Sequence, residues 1–172
     1  SVFGKNHQWG TFPSVSAAWN IAEESFMKDQ NIIDQLKLRV GYGVSGNALG
    51  FGAYKALAIY GLNSANTFVY DGATYSKLGA TQNANPDLKW EKTAMFNVGL
   101  DFAFFNSRLS GSVEFYNKKT TGLIWDYDVN QNVYPVATMM ANVGDILNRG
   151  VELTVNAVPV KTKDFQWQTT LN

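Results

Sequence analysis

Cysteine is absent from the 172 residues. That excludes a disulfide framework, a thiolate metal site and a thiol nucleophile. It also fits an exported chain. Net charge is absent too, since 14 Lys and Arg balance 14 Asp and Glu. A neutral chain has no electrostatic case for a nucleic-acid partner. His7 is the single histidine, and without a second histidine or a cysteine it cannot make an ordinary zinc site. No apolar run approaches the ~18 residues of a transmembrane helix. This leaves a membrane barrel open, because barrel strands escape a hydropathy scan. There is no starting Met and no signal peptide, and both ends fall in patterned sequence. The chain therefore reads as a piece of something larger.

What is present is alternation. Aromatic residues make up 14% of the chain and are spread along it. From Trp90, one side of a period-two pattern collects Ala94, Phe96, Val98, Leu100, Phe102 and Phe104. The other side collects Glu91, Thr93, Asn97, Gly99, Asp101 and Ala103, with Met95 as its one large apolar member. Successive side chains of a strand point to opposite faces, so this is one long strand with an oily and a wet side. Phe105-Asn106-Ser107-Arg108 forms a short turn. The pattern then resumes with Leu109, Gly111, Val113 and Phe115 against Ser110, Ser112, Glu114, Tyr116 and Lys118. Strands in soluble proteins are usually about five or six residues long. Transmembrane barrel strands need about nine to eleven.

Four further strands follow the same rule. Phe12 to Asn20 sets Val15, Ala17 and Trp19 against Ser14, Ser16, Ala18 and Asn20. Leu36 to Ser45 sets Leu36, Leu38, Val40, Tyr42 and Val44 against Lys37, Arg39, Gly41, Gly43 and Ser45. A slip of one residue there would put both charges into oil. Asn148 to Val158 sets Val151, Leu153, Val155 and Ala157 against Gly150, Glu152, Thr154 and Asn156. Pro159 to Asp164 reads as a turn, and Phe165 to Asn172 as a last strand carrying Phe165, Trp167 and Leu171. Ala22 to Lys28 reads as a short helix, and adjacent Glu23 and Glu24 suit its first turn. Gly46 to Pro86 and Gly122 to Ala141 show no sustained period and read as long irregular connections, which are uncommon unless functional.

Six strands with short connections after the first, third and fifth and long ones after the second and fourth predict an up-and-down barrel wall. The short turns face the periplasm and the long loops the exterior. Trp19, Phe104, Phe105, Phe165 and Trp167 lie beside the short turns, where an interfacial girdle would sit. The expected fold class is thus all-β, an antiparallel transmembrane β-barrel segment with long extracellular loops. Lipid would meet Val15, Trp19, Leu36, Leu38, Val40, Phe96, Val98, Leu100, Phe102, Val113, Phe115, Val151, Leu153, Val155 and Trp167. Lys37, Arg39, Glu91, Asp101, Glu114, Lys118 and Glu152 would line a hydrated lumen and pair with opposite charges. The alternatives are a secreted β-sandwich that binds glycans on exposed aromatics, where the oily faces form a core, and a passive porin-like channel.

PSVSAAW (13–19), LKLRVGYGVSGN (36–47), NPDLKWE (85–91), VGLDFAFFNSRLSGSVEFYNKKTTGLI (98–124) and NVGDILNRGVELTVN (142–156) resemble consecutive strands of TonB-dependent outer-membrane receptors, of the SusC/RagA-like branch. The resemblance spans nearly the whole chain, with 48–84 as its main gap. It implies a single-chain barrel of about 22 strands with an internal plug domain. It also implies a SusD-like surface lipoprotein as a lid, and energy coupling through TonB. The implied cargo is an oligosaccharide or a peptide. The plug, the remaining strands and the TonB-contacting part would lie outside residues 1–172. No cofactor and no enzymatic activity are implied.

The motifs that hint at other chemistry are weak. GYGVSG (41–46) matches a dinucleotide fingerprint, but no capped helix opens after it. Gly41 and Gly43 instead make room on the lumen face for a plug or let the strand bend. Asp126, Asp128 and Asn130 begin a calcium loop, yet Gln131 and Ala137 stand where that loop needs Gly and Glu. No nucleophile elbow is present. The functional lead is the loop aromatics: Tyr54, Tyr60, Phe68, Tyr70 and Tyr75 in the first connection, and Trp125, Tyr127 and Tyr134 in the second. Aromatic faces beside Asn and Asp can stack a sugar or cradle a peptide. The plainer reading is that they pack the loops together or against the lid.

Overall fold

The computed structural model describes residues 2–48 and 52–172. Its strands are β1 (Ser14–Asn20), β2 (Ile33–Asn47), β3 (Ile59–Tyr70), β4 (Ala73–Gln82), β5 (Glu91–Phe104), β6 (Leu109–Thr121), β7 (Ile124–Asp128), β8 (Thr138–Asn142), β9 (Asp145–Lys161) and β10 (Gln166–Leu171). Six form one sheet in the order β1-β2-β5-β6-β9-β10. These are the six alternating segments of the sequence. The hairpins β3-β4 and β7-β8 are separate two-stranded sheets. They occupy the two stretches that the sequence left as irregular. Residues 49–51 of the first stretch lie outside the described residues.

The chain divides into two compact units. One comprises residues 12–44, 94–119 and 147–172 and holds the body of the sheet. Pairing there sorts the faces. Val15 lies opposite Tyr42, Ala17 opposite Val40 and Trp19 opposite Leu38. On the reverse face Ser16 meets Gly41, Ala18 meets Arg39 and Asn20 meets Lys37. Apolar thus sits beside apolar, and small beside charged. Ala103 is the one buried apolar residue among the described residues of this unit.

Two local expectations change. The helix over 22–28 is replaced by two 3-10 turns, Ile21–Glu23 and Ser25–Met27. Glu24 between them is extended, and its Oε1 accepts the Trp19 indole N–H at 2.8 Å. A seven-residue helix could not recover its nucleation cost against that bond. The turn over 159–164 is shorter, because β9 continues to Lys161. Ala157 pairs with Thr169 and Val160 with Trp167, so β9 gains a residue at Val158–Pro159. This bulge accommodates a proline that cannot donate to the ladder, and it returns Val160 to the oily face. The turn after β5 is as expected. Phe105, Asn106 and Ser107 are left-handed, with φ of 58°, 53° and 58°. Phe105 N–H donates to the Ile32 carbonyl and Ser107 N–H to Asp34 Oδ2.

The other unit comprises residues 2–11, 45–93 and 120–146. Its small core is Leu88, fully buried, with Phe3, Ala56 and Ile124. Trp90 and Met140 pack against it, and the Phe3 and Trp90 rings lie 4.4 Å apart. Gly4 donates its N–H to the Leu88 carbonyl at 3.0 Å. A side chain at Gly4 would run into the Pro86 carbonyl, which is why only glycine fits.

Candidate functional site

In this second unit the aromatics fall on two hairpins. In β3-β4, Phe68 lies opposite Tyr75 and Tyr70 opposite Ala73. Phe68, Tyr70 and Tyr75 therefore share one face, and the Phe68 and Tyr75 rings stack at 5.5 Å. Tyr60 pairs with Ala80 beyond a register shift between Asn63 and Thr67. That shift erases the period-two signal in the sequence. In β7-β8, Trp125 lies opposite Ala141 and Tyr127 opposite Met139. Ile124, of the opposite phase, is buried, so Trp125 and Tyr127 face away from the core. Trp125 is 71% exposed and Tyr70 70%. Tyr54, at a positive φ of 66°, and Tyr134, in the turn after Asn130, sit outside both sets.

Asparagines hold these hairpins in place. Asn83 Nδ2 donates to the carbonyls of Val136 and Thr138, and its Oδ1 accepts the Val136 N–H. Asn85 Nδ2 donates to the Met140 carbonyl. Asn142 returns the contact, accepting the Lys89 N–H and donating to the carbonyls of Lys89 and Gly122. Segment 83–89 is thus tied to residues 136–142 through side chains rather than through a backbone ladder. Gln82 Nε2 likewise donates to carbonyls of Tyr54, Lys55 and Leu57. Glu91, expected in a lumen wall, accepts Asn47 Nδ2 and the Ile124 N–H. Sequence reasoning missed all of these as positioning residues. The signal available was the Asn-x-Asn spacing of 83 and 85, which puts two amides on one side of an extended chain.

In the sheet unit the polar face carries an ion-pair lattice. Arg39 Nε and Nη2 donate to Asp101 at 2.8 and 2.9 Å. Arg39 Nη2 also reaches Glu114 at 3.5 Å, and Glu114 Oε1 accepts Asn97 Nδ2 at 3.5 Å. The glycines below make it possible. A β-carbon at Gly99 would stand 2.8 Å from Arg39 Nη2, and one at Gly41 would meet Asn97 Oδ1. The space at Gly41 is therefore taken by Asn97. Gly43 is different, for its nearest neighbour would be Ser14 Cβ at 3.5 Å. With Ser14, Ser16 and Met95 it borders a shallow depression of about 350 Å³. GYGVSG lies within β2, and no helix follows it among the described residues.

The oily face is uncovered. Val15 and Val151 are 68% and 67% exposed, and Trp19, Phe96, Phe115, Leu153 and Trp167 are exposed as well. Leu36, Leu38, Val98, Leu100, Phe102 and Val155 are half-buried by their neighbours in the sheet. Exposed apolar surface on this scale marks contact with something apolar.

A family model described as TonB dependent receptor-like, beta-barrel, matches residues 1–172. The chain belongs to that family. The TonB-dependent receptor SusC of Bacteroides thetaiotaomicron is 38% identical over 172 residues, which is all of this chain and 17% of SusC. A TonB-dependent receptor of Formosa agariphila is 36% identical, with 16% of its length covered. Among solved structures, the RagAB peptide importer in its closed-closed state superposes with a TM-score of 0.83 at 30% identity, over 99% of this chain and 18% of that one. Its open-open state gives 0.82 at 31% identity. The chain therefore spans about a sixth of the length of the proteins it matches.

Membership decides the fold class. This is an outer-membrane β-barrel segment of the SusC/RagA type, and the β-sandwich is set aside. The seven residues that would have formed a sandwich core (Leu36, Val40, Phe96, Leu100, Val113, Val151 and Val155) are all at least partly exposed.

Proposed function

We propose that residues 1–172 are part of the wall and outer loops of a TonB-powered importer of oligosaccharides or peptides. The observation that carries this is a family match over the full chain, on a sheet whose apolar face is exposed while its polar face is stitched by Arg39, Asp101 and Glu114. The whole protein is a barrel of about 22 strands around a plug. It is capped by a SusD-like lipoprotein and coupled to TonB through parts beyond these residues. The peptide class is supported by the likeness to the RagAB peptide importer, and the oligosaccharide class by the resemblance of the sequence to SusC/RagA-like receptors. The fifteen apolar positions from Val15 to Trp167 meet lipid, and the charged face meets water. Its chemistry is binding and gating, without covalent catalysis. A passive porin would not need the family's coupling machinery.

Cargo contact belongs to the hairpin aromatics. Trp125 and Tyr127 on one face, and Phe68, Tyr70 and Tyr75 on another, offer flat rings at strand spacing beside Asn and Asp. The test uses full-length protein on whole cells. A cysteine placed by Tyr70→Cys labels with a membrane-impermeant thiol reagent, and one placed by Leu100→Cys does not. Equal labelling of both would sink the orientation. Trp125→Ala, at an exposed position, then slows cargo uptake about tenfold, equivalent to a lost stacking contact of ~1.4 kcal/mol. Unchanged uptake removes Trp125 from the cargo site.

A further inference from the structure

The two edges of the β7-β8 hairpin are unlike. Val129 N–H donates to the Ala137 carbonyl at 2.8 Å, and Val143 N–H to the Leu123 carbonyl at 2.7 Å. Between those two rungs Tyr127 lies opposite Met139 and Trp125 opposite Ala141. The odd-numbered residues are thus the ones that exchange hydrogen bonds across the hairpin. The even-numbered residues of both strands turn their main-chain groups away from each other. On the β8 side these groups are covered. The carbonyls of Val136 and Thr138 accept from Asn83, and that of Met140 from Asn85. On the β7 side the first of them, the Ile124 N–H, is met by Glu91 Oε2. The hairpin is a two-stranded sheet, so no strand among the described residues lies beyond β7. Asp126 and Asp128 therefore hold an open edge.

An open edge pairs with an extended main chain unless something blocks it, and proline, lysine and bulges are the usual blocks. β7 (IWDYD) has no proline and no lysine, and its register is unbroken. What it has is two carboxylates. Asp126 and Asp128 are exposed, and neither side chain enters an ion pair or hydrogen bond among the described residues. They share one face of the strand, and Trp125 and Tyr127 share the other. A strand laid along β7 sets one residue opposite each Asp and a residue between them beside the Tyr127 ring. Like charges directly opposite each other repel. A second copy of this edge is therefore refused, and a basic strand is favoured. A folded partner is the poorer match, because folded proteins protect their own edges. A free peptide exposes its main chain along its whole length.

We propose that β7 takes a cationic peptide as an added antiparallel strand, with basic residues opposite Asp126 and Asp128 and an apolar or aromatic residue beside Tyr127. The outward main-chain groups of Asp126 and Asp128 form up to about four hydrogen bonds with it, whatever its sequence. The two carboxylates and the ring then choose among sequences. The inference rests on the reading of residues 122–144 as an outer loop that meets cargo, and it names the chemistry of that cargo at this edge.

The experiment takes purified full-length receptor and titrates a fluorescent peptide, acetyl-Ala-Lys-Phe-Lys-Ala-amide. The wild type binds it saturably. In the proposed register both lysine N–H groups point at β7 and the central Phe N–H points away. N-methylation of the two lysines therefore weakens binding about tenfold, while N-methylation of the Phe leaves it near the parent value. The double variant Asp126→Asn/Asp128→Asn binds the parent peptide about tenfold more weakly. The double variant Asp126→Lys/Asp128→Lys prefers the peptide with Glu in place of each Lys, which separates reversed charge from lost folding. Equal binding of the two N-methylated peptides overturns the proposal, and so does equal binding by wild type and the Asn variant. If the Asn variant loses its surface lipoprotein while peptide binding is unchanged, the edge belongs to the lid and the proposal has failed. Uptake of the same peptide by whole cells reports the importer reading separately. If the peptide binds with this pattern and does not enter, the importer reading has failed and the edge stands. If it enters while the charges and N-methyl groups are silent, only the edge site has failed.

Discussion

At the scale of the residue, glycines decide what the sheet can hold. A side chain at Gly111 would overlap the Thr154 carbonyl and come within 2.9 Å of the Phe102 ring. Backbone cannot yield as a flexible side chain can. Gly111→Val should therefore cost more than ~3 kcal/mol and deplete folded receptor in the outer membrane. Gly43→Ala should be neutral within ~0.5 kcal/mol unless the plug fills that space. The two are compared by the temperature at which the full-length barrel loses its compact gel mobility. Asp101→Ala removes two of the contacts that order the half-buried Arg39, at a cost of about 1 kcal/mol. The same gel assay reads it, and Asp101→Glu should restore part of the loss. The polarity of this face was readable from the alternation of Lys37, Arg39 and Asp101. The partner of Arg39 was not, because Asp101 stands 62 positions further along the chain and nothing local signals the strand order.

At the scale of the element, two kinds of strand behaved differently under sequence reading. β2, β5, β6 and β9 are long, with one face apolar and the other polar, so period two stands out. The hairpins lack such a face. β7 and β8 have five residues each, and β3 is interrupted between Asn63 and Thr67. Their order comes instead from amide side chains that cap distant carbonyls, a bond type that leaves no periodic trace. Asn83→Ala should therefore release residues 124–142 locally, by about 1–3 kcal/mol, because the Val136 and Thr138 carbonyls lose their donor. Hydrogen exchange over those residues should quicken while exchange in β5 stays slow. If β5 quickens equally, the hairpin is not independently held. Leu88→Ala empties the centre of the small core and should cost about 2–5 kcal/mol there. Limited proteolysis of whole cells should then cut within 52–90.

At the scale of the whole molecule, the apolar face tests the membrane assignment. Leu100→Arg should cost roughly 2–4 kcal/mol if that position lies near the midplane, whereas Ser112→Arg on the other face should be tolerated. The yield of each variant in the outer-membrane fraction checks this. Equal yields would sink the sidedness. The order of the sheet has a consequence of another kind. β2 pairs directly with β5, and β6 with β9, although a complete hairpin intervenes in the chain each time. Closing the wall therefore asks nothing of what the intervening hairpin contains. β3-β4 and β7-β8 can diverge in length and surface, within the limits set by the amide ties of Asn83, Asn85 and Asn142, while the six-stranded sheet keeps its order. On the function proposed above, a lineage of such receptors can acquire a new diet by replacing the residues between β2 and β5 or between β6 and β9, and its descendants would share walls while differing in these hairpins.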